Sequence, residues 1–152
     1  MIHHQGSRLL SLAPAHLMRP RQILGARPSM PDGKKLTKLA TLKTELDKVY
    51  KSRDELARNG ELIKKAAFNY LIQAKKGKYP WDPVARFHLG NGASVYQLNV
   101  GADMSEKGID QSWGTMVNYL YDLEDIEENH EAYATDGEIK FNDNLRSLII
   151  KV

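Results

Sequence analysis

The sequence contains no cysteine, no long hydrophobic run and, before Asp32, no acidic residue. Without cysteine, the chain cannot hold a disulfide framework, a thiolate zinc site or a cysteine nucleophile. No stretch approaches the roughly 18 consecutive apolar residues of a membrane-spanning helix, so we expect no membrane insertion. The 152 residues and the 41% hydrophobic content suit one folded domain, because compact domains commonly have roughly 100–150 residues.

Charges of the two signs are unevenly distributed along the chain. Residues 1–80 contain 17 lysines and arginines against six acids, whereas residues 81–152 contain five against 13. Such asymmetry indicates either an anionic partner or an N-terminal targeting segment. A basic nucleic-acid-binding module is one alternative. We favour a solvated lysine surface over nucleic-acid binding, because no exposed aromatic residues are interleaved with the lysines of the predicted helices.

Residues 1–31 include four arginines, with scattered serine and leucine. This composition is typical of a mitochondrial presequence, and it suits a disordered tail equally well. We therefore predict a disordered or presequence-like segment over residues 1–31. The predicted location is the mitochondrial matrix if the segment is a presequence and the cytoplasm otherwise. Secretion is not expected, since no apolar segment of adequate length follows the positive charges.

Hydrophobic periodicity predicts a helical hairpin over residues 34–76. Apolar residues recur at spacings of three, four or seven over residues 34–58, which predicts the first helix. Asn59-Gly60 is a typical left-handed stop, and an apolar stripe predicts the second helix over residues 61–75.

The periodicity then changes, which predicts a β-rich core over residues 82–123. Two strand-like runs, 84–89 and 93–100, flank Gly90-Asn91-Gly92, and an Asn-Gly pair in this position favours a β-hairpin. Residues 104–113 are predicted as a loop or a short helical turn broken by Gly108, and residues 116–123 as a strand. Residues 124–152 are predicted as an acidic tail with a solvated helix and a short closing helix.

His88 is the main candidate for chemistry. In a strand it would lie on the face opposite Phe87 and Leu89, where it could face a cleft, and an imidazole pKa of ~6.5 suits proton transfer near neutrality. The alternative is an exposed or hydrogen-bonded histidine without a catalytic role. The acids around residues 122–128 lack the spacing of a calcium loop, so we predict a solvated acidic surface there rather than a metal site.

Several blocks of the sequence resemble the C-terminal part of the malonyl-CoA decarboxylase family. The resemblance covers roughly residues 60–140. The blocks that carry it are Asp82-Pro83-Val84-Ala85-Arg86-Phe87-His88-Leu89-Gly90-Asn91-Gly92-Ala93, Asp103, Ser105, Lys107-Gly108, Gln111-Ser112, Met116-Val117-Asn118-Tyr119-Leu120-Tyr121-Asp122-Leu123 and Asn129-His130-Glu131-Ala132-Tyr133.

This resemblance implies an enzyme of fatty-acid metabolism, a carboxy-lyase that converts malonyl-CoA to acetyl-CoA and carbon dioxide. It implies no metal or organic cofactor, because the CoA thioester is itself the substrate. It also implies an α+β chain, in which a helical hairpin leads into a partial acetyltransferase-type (GNAT-like) β-rich segment. The family's catalytic histidine falls at His88, and an active-site tyrosine falls at Tyr121.

Complete members of the family carry a catalytic serine and a CoA-pyrophosphate-binding element upstream of this histidine. The 87 residues before His88 contain no recognisable counterpart of either. We therefore expect residues 32–152 to be the C-terminal portion of a catalytic domain, in a gene fragment or a shortened paralogue. Its expected partners are malonyl-CoA and acetyl-CoA, and a second copy or the remainder of the domain. A non-catalytic interaction or regulatory paralogue is the alternative function.

Overall fold

The computed structural model describes residues 8–14, 41–42, 44–49 and 52–150. Helices alternate with short strands along the chain, and helical residues also occur at 41–42 and 44–47. The elements are β1 (Arg8–Pro14), α1 (Arg53–Arg58), α2 (Gly60–Gln73), β2 (Lys75–Lys76), β3 (Tyr79–Pro80), α3 (Pro83–Gly90), β4 (Ser94–Asn99), α4 (Glu106–Ser112), β5 (Met116–Asp122), α5 (Ile126–Asp136) and a 3-10 helix (Asp143–Leu148). The chain thus mixes helices with antiparallel sheet, as predicted, whereas the GNAT-like topology stays a prediction.

A three-stranded antiparallel sheet, in the order β1-β5-β4, forms the centre of the fold. Along β1 the register runs from Arg8 opposite Asp122 to Pro14 opposite Met116. One face of the sheet is buried in the core. Alternate side chains of each strand point to this face. The buried side chains on this face are Ala13, Val95, Leu98, Val117 and Tyr119.

The strand β1 lies within the segment that was predicted to be disordered. The prediction of disorder is wrong for residues 8–14, because their backbone pairs with β5 along its whole length. The remaining residues of 1–31 lie outside the described residues. The presequence-like character of this segment stays a prediction.

The first predicted helix, 34–58, is not continuous in its described part. The chain turns at Lys48 and restarts at Ser52, whose side-chain oxygen accepts a hydrogen bond from the Glu55 backbone N–H at 3.3 Å. A capping serine satisfies a backbone N–H group at the start of a new helix. The chain can therefore begin α1 at this point instead of continuing the earlier helical residues. The predicted left-handed stop is also wrong, since Asn59 has φ −106° and Gly60 begins α2. The apolar spacing nevertheless marks buried positions, among them Leu46, Val49 and Leu56.

The predicted β-hairpin around Gly90-Asn91-Gly92 is wrong on its first side, because residues 84–89 belong to the helix α3. Asp82 caps this helix: its Oδ1 accepts hydrogen bonds from the N–H groups of Val84, at 2.8 Å, and Ala85, at 3.3 Å. Pro83 occupies the start of the helix, where its missing N–H costs nothing. The second predicted strand, 93–100, is confirmed as β4.

The predicted acidic tail, residues 124–152, packs against the core in its described part. The elements that precede it also differ in part from the prediction. Residues 106–112 form the helix α4, which passes through Gly108, and residues 116–122 form the predicted strand. Beyond it, the side chains of Tyr133 and Leu145 are buried in the core. Within the described ranges, no helix is long and apolar enough to cross a membrane.

The C-terminal segment is anchored to α2 by a buried amide. The side chain of Asn69 donates to the Leu148 carbonyl at 2.8 Å and accepts from the Ile150 N–H at 2.9 Å. The ring of Phe141 packs edge-on against Phe68, with centroids 5.3 Å apart. Because buried polar groups need partners, Asn69 fixes where the last residues lie on the core.

Candidate active site

The two predicted site residues, His88 and Tyr121, lie side by side. His88 is near the end of α3 and Tyr121 is in β5, 33 residues later, yet Nδ1 of the imidazole is hydrogen-bonded to the tyrosine hydroxyl. Their ring centroids are 5.7 Å apart, with the planes at 70°. Both side chains are only partly buried, so a small molecule can reach them.

A second tyrosine, Tyr119, completes the wall behind the imidazole. Its ring stacks on His88 with centroids 4.5 Å apart and an interplanar angle of 20°. Tyr119 is fully buried, and it shares a face with Tyr121 because the two are separated by one residue of a strand. Tyr119 is not among the site residues that the sequence predicts. The Tyr-x-Tyr spacing in a predicted strand was the signal that could have identified it.

Burial changes the proton equilibria of the pair. It lowers the pKa of His88 below 6.5, and the negative charge of Asp82 opposes that decrease. It raises the pKa of Tyr121 above 10, so the phenol stays protonated at neutral pH. With Tyr121 as the donor, Nδ1 is the acceptor and the neutral imidazole carries its proton on Nε2. In this tautomer the Nε2–H group is a hydrogen-bond donor.

The loop after His88 is held by α5. Nδ1 of His130 donates to the Gly90 carbonyl at 2.7 Å, and the Asn129 amide donates to the Gly92 carbonyl at 3.1 Å. Gly92 has φ +92°, and a Cβ there would lie 2.5 Å from the Ile126 carbonyl oxygen. Two blocks of the sequence, around residues 88–92 and 129–133, therefore meet in space and fix the end of the helix that carries His88.

Exposed apolar side chains lie close to the pair. Leu9 of β1 is directly opposite Tyr121 in the sheet register, and it is exposed. Phe87 is also exposed and meets the His88 ring edge-on, with centroids 5.2 Å apart. An apolar border beside a hydrogen-bonded histidine–tyrosine pair suits a ligand that is partly apolar and partly polar.

The family model for the malonyl-CoA decarboxylase C-terminal domain matches residues 21–151. The chain belongs to the malonyl-CoA decarboxylase family. Mitochondrial malonyl-CoA decarboxylase from Rattus norvegicus is 41% identical over 93 residues, which are 61% of this chain and 19% of that protein. The goose protein, from Anser anser anser, is 42% identical over 80 residues, which are 53% of this chain and 16% of that protein.

Solved structures of malonyl-CoA decarboxylases resemble the fold. The enzyme from Rhodopseudomonas palustris superposes with a TM-score of 0.69 at 36% identity, over 95% of this chain and 33% of that one. The enzyme from Agrobacterium vitis also gives 0.69, at 34% identity, over 95% of this chain and 36% of that one. The chain therefore spans about a third of these structures and less than a fifth of the curated relatives.

Proposed function

We propose that this chain supplies the proton-transfer pair of malonyl-CoA decarboxylation, with His88 and Tyr121 as its catalytic residues. The observation that supports this most directly is the hydrogen bond between the imidazole and the tyrosine hydroxyl. The substrate class comes from the family to which the chain belongs. The reaction is that of a carboxy-lyase, its place is fatty-acid metabolism, and no cofactor takes part in the proposed mechanism.

The chemistry of the reaction defines what the pair must do. The bond between the α carbon and the carboxylate breaks, carbon dioxide leaves, and the electron pair remains as a thioester enolate. A proton must then bond to the α carbon to give acetyl-CoA, so the net reaction consumes one proton. Stabilising the developing oxyanion and delivering this proton are the two demands on the site.

The imidazole can meet both demands, and Tyr121 can hold it in place throughout. In the doubly protonated imidazole, Nε2–H of His88 donates toward the enolate oxygen and then passes its proton to the α carbon. The ring is left neutral with its remaining proton on Nδ1, and Nε2 regains a proton from solvent. A hydroxyl is both donor and acceptor, so Tyr121 stays bonded to Nδ1 whether that nitrogen is protonated or not. Its raised pKa keeps it neutral in both states.

Binding of CoA is the part of the proposal that relies on other residues. Energy from the remote CoA moiety orients the reacting thioester, and this orientation supports kcat as well as binding. The chain covers about a third of the solved enzymes. We therefore propose that the remainder of the domain, or a second copy, provides the CoA contacts. We also propose a GNAT-like arrangement for the whole site.

The test uses the Rhodopseudomonas palustris enzyme with its matching segment replaced by this one. His88→Ala should lower kcat by ~10²–10⁴-fold, because it removes the proton donor. Tyr121→Phe should lower kcat by about twofold to tenfold, since one hydrogen bond contributes ~0.5–1.5 kcal/mol. KM should change less, because the enolate exists only after carbon dioxide has left.

Tyr96→Phe is the matched control, since it removes a hydroxyl from the neighbouring strand β4. It should leave kcat unchanged. Thermal melts of all variants distinguish catalysis from packing, because a packing role would lower the melting temperature together with activity. Wild-type kcat in a well-folded His88→Ala chimera would contradict the proposal.

The location we propose is the mitochondrial matrix. The curated relatives from rat and goose are named as mitochondrial proteins. The arginine-rich, acid-free composition before Asp32 suits a presequence.

A further inference from the structure

A buried carboxylate lies at the start of the helix that carries His88. Asp82 is fully buried, although acidic side chains almost never are unless they are paired. Its Oδ1 accepts the two backbone N–H groups of the first helical turn. Its Oδ2 is also buried but has no hydrogen-bond partner among the described residues. Helix capping needs only one oxygen, so the second oxygen and the charge call for a separate explanation.

The pKa values of the two stacked rings, His88 and Tyr119, both depend on this charge. Asp82 opposes the decrease that burial causes in the pKa of His88. It also raises the pKa of Tyr119, although burial is the larger cause there. The hydroxyl of Tyr119 is buried and lacks a hydrogen-bond partner within the described part of the chain. With its pKa raised, Tyr119 stays a neutral phenol and offers the carboxylate no opposite charge. The carboxylate of Asp82 therefore acts on the region around the imidazole.

Among the described residues, the other titratable groups that contact His88 or the end of its helix carry no negative charge. From β5, the two tyrosines are neutral phenols. From α5, His130 is hydrogen-bonded to the Gly90 carbonyl, and Tyr133 has its pKa raised to about 12. On α3 itself, Arg86 carries a positive charge.

We propose that Asp82 is a positioning residue for His88: one carboxylate oxygen fixes the helix that carries the imidazole, and the charge of the carboxylate helps the imidazole to hold a proton. This inference rests on the proposed proton-transfer role of His88. It adds a residue that touches no substrate and acts through the histidine. A neutral cap would hold the helix equally well, so the two contributions can be separated by substitution.

The test is an NMR titration of the His88 imidazole in the full 152-residue chain without substrate. The His88 resonance is assigned by its absence from the spectrum of a His88→Gln variant. Asp82→Asn keeps a capping oxygen and removes the charge, so the helix should remain while the titration midpoint of His88 shifts to lower pH. Asp82→Ser should give the same shift, because serine carries no charge. It should also keep the helix, because serine caps helices. Asp82→Ala should shift the midpoint and also lower the melting temperature, since it removes the cap.

Asp136→Asn is the matched control, because it removes an equal charge from the exposed end of α5. It should leave the midpoint of His88 unchanged. An unchanged midpoint in well-folded Asp82→Asn would overturn the proposal. Loss of the fold in both Asp82→Asn and Asp82→Ser would also overturn it, by showing that the charge is required for folding rather than for the histidine. The titration does not depend on turnover, so its outcome and that of the decarboxylation assay are separate.

Discussion

Gly92→Ala should destabilise the protein more than Gly77→Ala, although both replace a glycine of positive φ. Gly77 has φ +68°, and an added Cβ would meet no atom within 4 Å. Its substitution should therefore cost only the left-handed backbone strain, which is ~1–2 kcal/mol. Gly77→Ala thus measures the cost of conformation without the cost of contact.

At Gly92 the same strain is joined by a contact with backbone. The added Cβ would lie 2.5 Å from the Ile126 carbonyl oxygen, so the start of α5 must move away. That movement strains the Asn129 bond to the Gly92 carbonyl and the His130 bond to the Gly90 carbonyl. Each such bond contributes about 0.5–1.5 kcal/mol, so the total loss for Gly92→Ala should be about 3 kcal/mol.

Urea unfolding followed by tryptophan fluorescence measures this difference. With a slope of ~2 kcal/mol per M, the midpoint should fall by about 1.5 M for Gly92→Ala and by about half of that for Gly77→Ala. In an Asn129→Ala background, Gly92→Ala should cost less than it does in wild type, because the two sites share one contact. Equal losses for the two glycine variants would refute the reasoning, since the approach of α5 would then contribute nothing.

Two further predictions concern the protein as a whole. The 152-residue chain alone should release no detectable carbon dioxide from radiolabelled malonyl-CoA, because it spans about a third of the solved enzymes. Turnover above that of a His88→Ala control would show that the chain is self-sufficient. Residues 1–31 fused to a fluorescent protein should direct it to mitochondria, whereas cytosolic fluorescence that deletion of the segment leaves unchanged would contradict the presequence prediction.

Patterns of neighbouring residues in the sequence predict some of the strands and helices correctly. The strands β4 and β5 and the helix α2 followed from alternation and apolar spacing. The strand prediction for residues 84–89 is wrong because a six-residue run with four apolar residues suits a strand as well as a helix. The signal that decides between them lies outside the run, in the cap at Asp82 and in Pro83.

The strand β1 was missed for a different reason. Its leucines Leu9, Leu10 and Leu12 are all exposed, so burial does not produce the pattern of alternating apolar and polar residues. Its place depends on pairing with β5, more than 100 residues away in the sequence, and pairing partners are not visible in local composition. The prediction of a disordered or presequence-like segment therefore rests on its arginines and its lack of acids.

The correction at α3 changes how the site is built more than which residues form it. A strand would have placed His88 by alternation alone, whereas the helix places it through Asp82 at one end and through Gly92 and α5 at the other. The hydrogen bond to Tyr121 then joins this helix to the central strand of the sheet. The imidazole is thus held from three directions by residues that come from three separate blocks of the sequence. The proton-transfer role that we propose for His88 requires such support, since small displacements of a reacting group reduce turnover strongly. For this reason the cap, the glycine turn and the tyrosine pair should respond to substitution as one unit, with coupled rather than additive effects on the His88 titration.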